Sequence, residues 1–314
     1  MRKFISRGLL LGLAAAVAFA APPAEAADQK LPVVATISII ADFAAVVGGD
    51  RVAVTSLVGP NGDAHVYDPT PADAKSLAGA KLVLVNGLGL EGWMDKLIKA
   101  SGTKAPILVA TKGVAPRQME AEEEAGAPKP AKPEAPKLIT DPHAWQSIAN
   151  AKLYVSNIHD AFVAADPDGK ASYDANTDAY LAKLTDLEGR VKAAFVALPE
   201  SQRRVITTHD AFGYYGAAYG IDFIAPQGIS TDSEATAKRV GQLIKQIRSE
   251  KIRAVFIENM TDGRLINRIA KETGVKLGGE LFSDALSPAN GPAATYISMI
   301  EHNTKLLTAA MAGS

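Results

Sequence analysis

Three histidines lie in short polar motifs rich in glycine, proline and aspartate, a setting that suits an imidazole acting as ligand or base. His65 belongs to Asn61-Gly-Asp-Ala-His65-Val-Tyr-Asp-Pro69, a turn that follows a β-branched run. His143 belongs to Asp141-Pro-His143-Ala-Trp145. There Asp141 is expected as a helix N-cap and Pro142 as the first helical residue, which places the imidazole in the first helical turn. The helix dipole would disfavour its charged form and leave the neutral form free to bind a metal. His209 closes the run Val205-Ile-Thr-Thr-His209, and Asp284 closes another in Leu281-Phe-Ser-Asp284. Each also has a plainer role open to it: a solvated loop histidine for His65, a hydrogen-bonded core histidine for His209, an N-cap for Asp284. The other two of the five histidines, His159 and His302, fall on polar faces of predicted helices and read as surface residues.

The four candidates are 78, 66 and 75 residues apart, so no two lie one helical turn apart as in a His-Glu-x-x-His zinc site. Only the tertiary fold can gather them, two from each half. The chain has no cysteine, which excludes thiolate metal sites, disulfides and cysteine nucleophiles. With 33 basic and 34 acidic side chains, its 314 residues lack the basic surface on which nucleic-acid binding rests.

Two series of short apolar runs would position these residues. The first comprises residues 33–38, 52–58, 82–86 and 107–110, and the second 204–209, 221–224, 254–258 and 275–282, with helical patterns between. They predict an α/β fold of two lobes, each with a mostly parallel four-stranded sheet flanked by helices. In such sheets ligands bind beyond the carboxyl ends of the strands, where His209 and Asp284 project. From Asp168 to Leu198, Tyr173, Tyr180, Leu181, Leu184, Leu187, Val191, Phe195 and Val196 recur at helical spacing, predicting one long rigid helix between the lobes. Met1–Ala26 has the positive start, apolar run and Ala-x-Ala end of a signal peptide. Cleavage after Ala26, with no cysteine there, predicts a secreted, periplasmic protein without a lipid anchor. The expected organisation is thus a leader over 1–26, a metal-binding lobe over 27–165, a linker helix over 166–200 and a second lobe over 201–314. Residues 118–137, with five glutamates, three lysines and four prolines, read as a mobile, solvated insert in the first lobe.

The ordered motifs around His65, Asn86-Gly-Leu-Gly-Leu-Glu-Gly-Trp93, Asp141-Pro-His143-Ala-Trp145, Thr208-His209-Asp-Ala-Phe-Gly-Tyr214 and Phe282-Ser-Asp284-Ala-Leu286 resemble the zinc- and manganese-binding solute-binding proteins of bacterial ABC importers, the ZnuA/TroA-like family. The resemblance covers nearly all of the chain after the leader. It implies a non-enzymatic carrier that holds one metal ion per chain between its lobes, with His65 and His143 ligating from the first and His209 and Asp284 from the second. Three imidazoles and a carboxylate suit Zn²⁺, whereas Mn²⁺ prefers more oxygen, and manganese-binding relatives commonly carry glutamate at the position matching His209. Zinc is therefore expected, with manganese as the alternative. The implied partners are a permease and an ATPase, with a periplasmic metallochaperone as a further candidate, and the chain is expected to be a monomer. One departure is that zinc-binding relatives often carry a histidine-rich loop where residues 118–137 have none. Glu258 is expected as a supporting carboxylate paired with Arg264, and Trp93 and Trp145 as walls of the site. The competing readings are a secreted zinc hydrolase, which needs an open fourth metal position, and an adhesin, for which the sequence offers no feature.

Overall fold

The computed structural model describes residues 30–120, 138–232, 234–250 and 252–313, so the leader and most of the acidic insert lie outside the described residues. In the first half, β1 (Leu31–Ile37), β2 (Val52–Val58), β3 (Leu82–Val85) and β4 (Ile107–Val109) form a parallel sheet in the order β2-β1-β3-β4. β5 (Gln118–Glu120) pairs antiparallel with β6 (Leu138–Thr140). The first three residues expected to be loop are therefore strand, and residues 121–137 lie outside the described residues. In the second half, β7 (Arg204–Ile206), β8 (Asp222–Ile224), β9 (Ala254–Glu258) and β10 (Lys276–Leu281) form a parallel sheet in the order β10-β9-β7-β8. Renumbered within its own lobe, each sheet has the order 2-1-3-4. Each therefore has a switch point between its first and third strands, where the connections diverge and a crevice opens.

The described helices are α1 (Ser38–Gly48), α2 (Pro71–Gly79), α3 (Met94–Ser101), α4 (Ile148–Ala165), α5 (Lys170–Val196), α6 (Gly213–Tyr219), α7 (Ala237–Glu250), α8 (Arg264–Thr273) and α9 (Tyr296–Ala312). α5 is the predicted spine, 27 residues long, or about 40 Å at the helical rise. Its buried stripe is Tyr173, Thr177, Tyr180, Leu184, Leu187, Val191 and Phe195, at spacings of three and four. Val196 is exposed, because the helix ends there. α1, α4 and α9 pack against α5, and one continuous apolar core runs from the first sheet through these helices into the second lobe. A smaller cluster around Leu243, Ile247, Val255 and Ile266 fills the space under α7 and α8. No helix among the described residues is long and apolar enough to cross a membrane.

The helical layer ties the two halves together. Phe43 on α1 packs edge-on against Tyr296 at the start of α9, with ring centroids 4.8 Å apart. Beside it the half-buried Asp42 accepts from the Tyr296 amide at 2.9 Å. Burial raises the Asp42 carboxyl from 3.8 to about 6 in spite of that hydrogen bond. The folded chain therefore favours the protonated acid, so this group's contribution is full below about pH 4 and is lost as pH rises through about 6. Asp42→Asn keeps the acceptor and removes the charge. It is expected to raise stability at neutral pH by about 1–2 kcal/mol and to flatten the loss between pH 4 and 7. Thermal unfolding across that range checks this, and parallel curves for parent and variant would show that the carboxyl ionises freely in the folded state.

Candidate metal centre

Each of the four candidate side chains sits on a turn just beyond a strand, and each turn is held by specific polar contacts. The loop after β2 turns at Asn61, whose φ of 56° lies in the left-handed region that asparagine tolerates better than most residues. Asp63 then accepts from the His65 amide at 2.9 Å, and Trp93 donates its indole N–H to the Ala64 carbonyl at 2.8 Å. Trp93 thus braces the His65 turn from behind. His143 is fixed more tightly: Asp141 Oδ1 accepts from its amide at 3.0 Å and faces its Nδ1 at 2.8 Å. The Pro142 carbonyl accepts from Asn86 Nδ2 at 2.9 Å, while Asn86 Oδ1 accepts from Tyr154 at 2.6 Å.

These contacts correct the expectation for Asp141. A short 3₁₀ turn, Ala144–Gln146, follows His143, and α4 starts only at Ile148, so Asp141 caps no helix. It holds the imidazole instead.

On the second lobe, Glu258 ends β9 fully buried. Its Oε1 accepts from the amides of Thr208 and His209 at 2.8 and 2.9 Å, and its Oε2 lies 2.6 Å from His209 Nδ1. Glu258 thus supports the site as expected, but its expected partner Arg264 pairs with Asp262. Asp284 follows β10, and Trp145 and Gln146 each donate to the carbonyl just before it, that of Ser283, at 2.8 Å.

The three imidazoles form a triangle with ring centroids 5.2, 5.3 and 5.8 Å apart. Asp284 Oδ2 lies 3.2 Å from His65 Nε2, 3.2 Å from His209 Nε2 and 3.6 Å from His143 Nε2. One ligand atom from each of the four residues falls within a 4.8 Å cluster; His143, His209 and Asp284 are buried and His65 is half-buried. Trp145 walls the cluster, its ring 5.4 Å from that of His143. His159 and His302 stand apart from it: His159 bonds Asp160 and Asp174, and His302 contacts the Glu280 carbonyl.

Burial opposes the charge on His143, yet Asp284 and Asp141 outweigh it and raise the imidazole to about 9. The carboxylates, rather than a helix dipole, govern this ring: without metal they favour its charged form, so a metal must displace the Nε2 proton before it can bind there. His209 is likewise raised by Glu258 and Asp284 against burial. Burial pushes the Asp284 carboxyl up, but His143 and His209 hold it well below the ordinary carboxylate range. Both Asp284 oxygens and both ring nitrogens of His209 are nonetheless buried without a well-directed hydrogen bond, Nδ1 facing Glu258 Oε2 as a close charge contact. Three buried carboxylates facing three imidazoles suit a cation. With Nδ1 of His143 and His209 turned to Asp141 and Glu258, their Nε2 lone pairs are the ones available for ligation.

The chain is similar to known proteins over nearly its whole length. The family model described as zinc-uptake complex component A, periplasmic (ZnuA) matches residues 33–310. The metal ABC transporter substrate-binding lipoprotein SsaB of Streptococcus sanguinis is 31% identical over 291 residues, 91% of this chain and 90% of that protein. The manganese ABC transporter substrate-binding lipoprotein scaA of Streptococcus gordonii is 30% identical, over 92% of this chain and 91% of its own length. Among solved structures, the periplasmic zinc-binding protein TroA of Treponema pallidum superposes with a TM-score of 0.80 at 29% identity, covering 90% of this chain and 99% of TroA.

These relatives overturn one expectation. The lack of a cysteine beside Ala26 suggested a free periplasmic protein with no lipid anchor, but SsaB and scaA are both named lipoproteins, so that expectation does not stand. A missing thiol at one cleavage motif speaks to a single mode of attachment within residues 1–29, which lie outside the described residues. The family match, the shared fold and the relatives together identify the chain as a member of the ZnuA family and the metal-binding, non-enzymatic component of an ABC importer, whose partners are that importer's permease and ATPase.

Proposed function

We propose that the chain captures one Zn²⁺ ion as cargo on His65, His143, His209 and Asp284 and passes it to the permease. In this reading a first lobe ending at residue 165 and a second starting at 201 supply two ligands each, linked through 166–200. The observation that carries it is the enclosed cluster of three imidazoles and one carboxylate, with ligand atoms within 4.8 Å of one another. Zinc takes four such ligands in tetrahedral array, and nitrogen-rich sites bind it more tightly than manganese. The zinc-binding name of the Treponema pallidum relative agrees with this.

Manganese is the second reading, favoured by one feature of the site. Both Asp284 oxygens lack directed partners, so the carboxylate can bind through two atoms and raise the coordination number toward what Mn²⁺ prefers. The Streptococcus gordonii relative is named for manganese. The test is to strip the protein with chelator, offer equal zinc and manganese together, and count bound metal by elemental mass spectrometry. One zinc per chain with little manganese is expected. One manganese would overturn the choice of metal, and no bound metal would overturn the site.

A further inference from the structure

Asp284 lies in the second half of the chain, yet the backbone that carries it is held by the first. Up to Phe282 the hold is local: Asn303 on α9 accepts from the Phe282 amide at 3.0 Å and donates to its carbonyl at 2.7 Å. One residue later it changes lobes. The Ser283 carbonyl accepts from both Trp145 and Gln146, residues 138 and 137 positions earlier in the chain. The Leu286 amide donates to Ser38 Oγ at 2.9 Å, across 248 positions, and the Leu286 carbonyl accepts from the Asn61 amide at 3.0 Å. Four hydrogen bonds from the first lobe thus bracket Asp284. Within the same turn the second lobe supplies a longer contact, from Asn259 Nδ2 to the Ala285 carbonyl at 3.3 Å.

His209 is held in the opposite way. The hydrogen bonds described for its turn stay in the second lobe: to Glu258 from the amides of Thr208 and His209, to Ile224 from Thr207, and to Gly228 from Asp210. The two ligands contributed by the second half therefore answer to different lobes.

We propose that Ser38 and Gln146 are positioning residues for the metal: they fix the Ser283–Leu286 turn so that Asp284 joins His65 and His143 as a set carried by the first lobe, with His209 alone carried by the second lobe's frame. The proposal rests on the reading that Asp284 is a ligand. Ser38 suits the role because it opens α1 directly after β1, at the carboxyl end of the central strand pair. Gln146 suits it because it lies three residues after His143 in the 3₁₀ turn, so a single short segment places one ligand and braces another.

Metal-free protein is compared as parent, Ser38→Ala, Gln146→Leu, the two combined, Ser38→Thr, Asp284→Ala and Tyr219→Phe. Tyr219→Phe removes a different contact between the halves, the Tyr219 hydroxyl that accepts from the Ile148 amide at 3.2 Å. Zinc affinity is measured by chelator competition. Cobalt(II) is then bound as a probe, because its visible absorption is intense in four-coordinate sites and weak in six-coordinate ones. The combined variant is expected to lose about 10- to 100-fold in zinc affinity, the usual effect of losing support behind a ligand. Its cobalt spectrum should weaken toward that of Asp284→Ala. Ser38→Thr, which keeps the hydroxyl, should match the parent, and Tyr219→Phe should alter stability alone. If Asp284→Ala changes both readouts and the combined variant changes neither, the proposal is overturned. If Asp284→Ala itself changes neither, the ligand reading fails and the proposal falls with it. Should the combined variant not fold, the single variants carry the same comparison.

Discussion

Replacing His143 with alanine is expected to lower zinc affinity by more than about 100-fold, beyond what loss of a supporting group costs, while the metal-free protein stays folded. His143 is the most constrained of the four candidates. It is fully buried, its amide and Nδ1 are both held by Asp141, and its Nε2 lies 3.1 Å from His65 Nε2 and 3.6 Å from Asp284 Oδ2. Without it the site keeps two imidazoles and a carboxylate, and water must complete the shell of the metal. The fold should survive because the turn is fixed by contacts other than the ring: Asn86 to the Pro142 carbonyl, and Tyr214 to the Asp141 carbonyl at 3.2 Å. Removing the ring also leaves Asp141 and Asp284 facing each other with less positive charge between them, so some loss of stability in the metal-free form is expected. Chelator competition with circular dichroism of the metal-free variant makes the measurement. Unchanged affinity in a folded variant would remove His143 from the site.

The eight strands of the two parallel sheets and their order of appearance were legible in the sequence because they are short, apolar and bounded by turn residues, and the expected ranges for β2 and β9 coincide with those observed; β3 is buried throughout, whereas the edge strands β2, β4, β8 and β10 are partly exposed, and the β5–β6 pair was not foreseen. The long helix was legible from its spacing, although its last expected core residue, Val196, faces solvent. The four clustered side chains were legible as strand-end histidines and an aspartate in polar turns. What the sequence hid was the support behind them. Asp141-Pro142 has the form of a helix start, and only the 3₁₀ turn that delays α4 to Ile148 frees Asp141 to hold His143. Glu258 was expected to pair with Arg264, which instead pairs with Asp262. The available signal was that the strand before Glu258, Ala254 to Ile257, is wholly apolar, which argues that its terminal carboxylate is enclosed too. The hydrogen bonds from Ser38 and Gln146 to the turn around Asp284 span 248 and 137 positions and leave no local pattern.

Glu258 offers the largest expected change in stability, and two substitutions separate its roles. Glu258→Ala leaves the amides of Thr208 and His209 without their acceptor and removes the carboxylate 2.6 Å from His209 Nδ1, all in a fully buried site. Removing one member of a buried charged pair typically costs about 3–5 kcal/mol, and urea unfolding of the metal-free variant should show a loss in that range. Glu258→Gln should cost less, because the amide oxygen can still accept from both backbone N–H groups. Its NH₂ then faces His209 Nδ1, where the carboxylate oxygen stood. Turning the amide round would set that NH₂ against two backbone donors, so the first orientation is favoured. In that orientation Nδ1 must accept, the ring proton moves to Nε2, and the nitrogen aimed at the metal loses its lone pair. The glutamine variant is therefore expected to stay well folded yet lose about 10- to 100-fold in zinc affinity, whereas the alanine variant loses stability first. Equal zinc affinity in the glutamine variant and the parent would show that this carboxylate does not set the His209 tautomer.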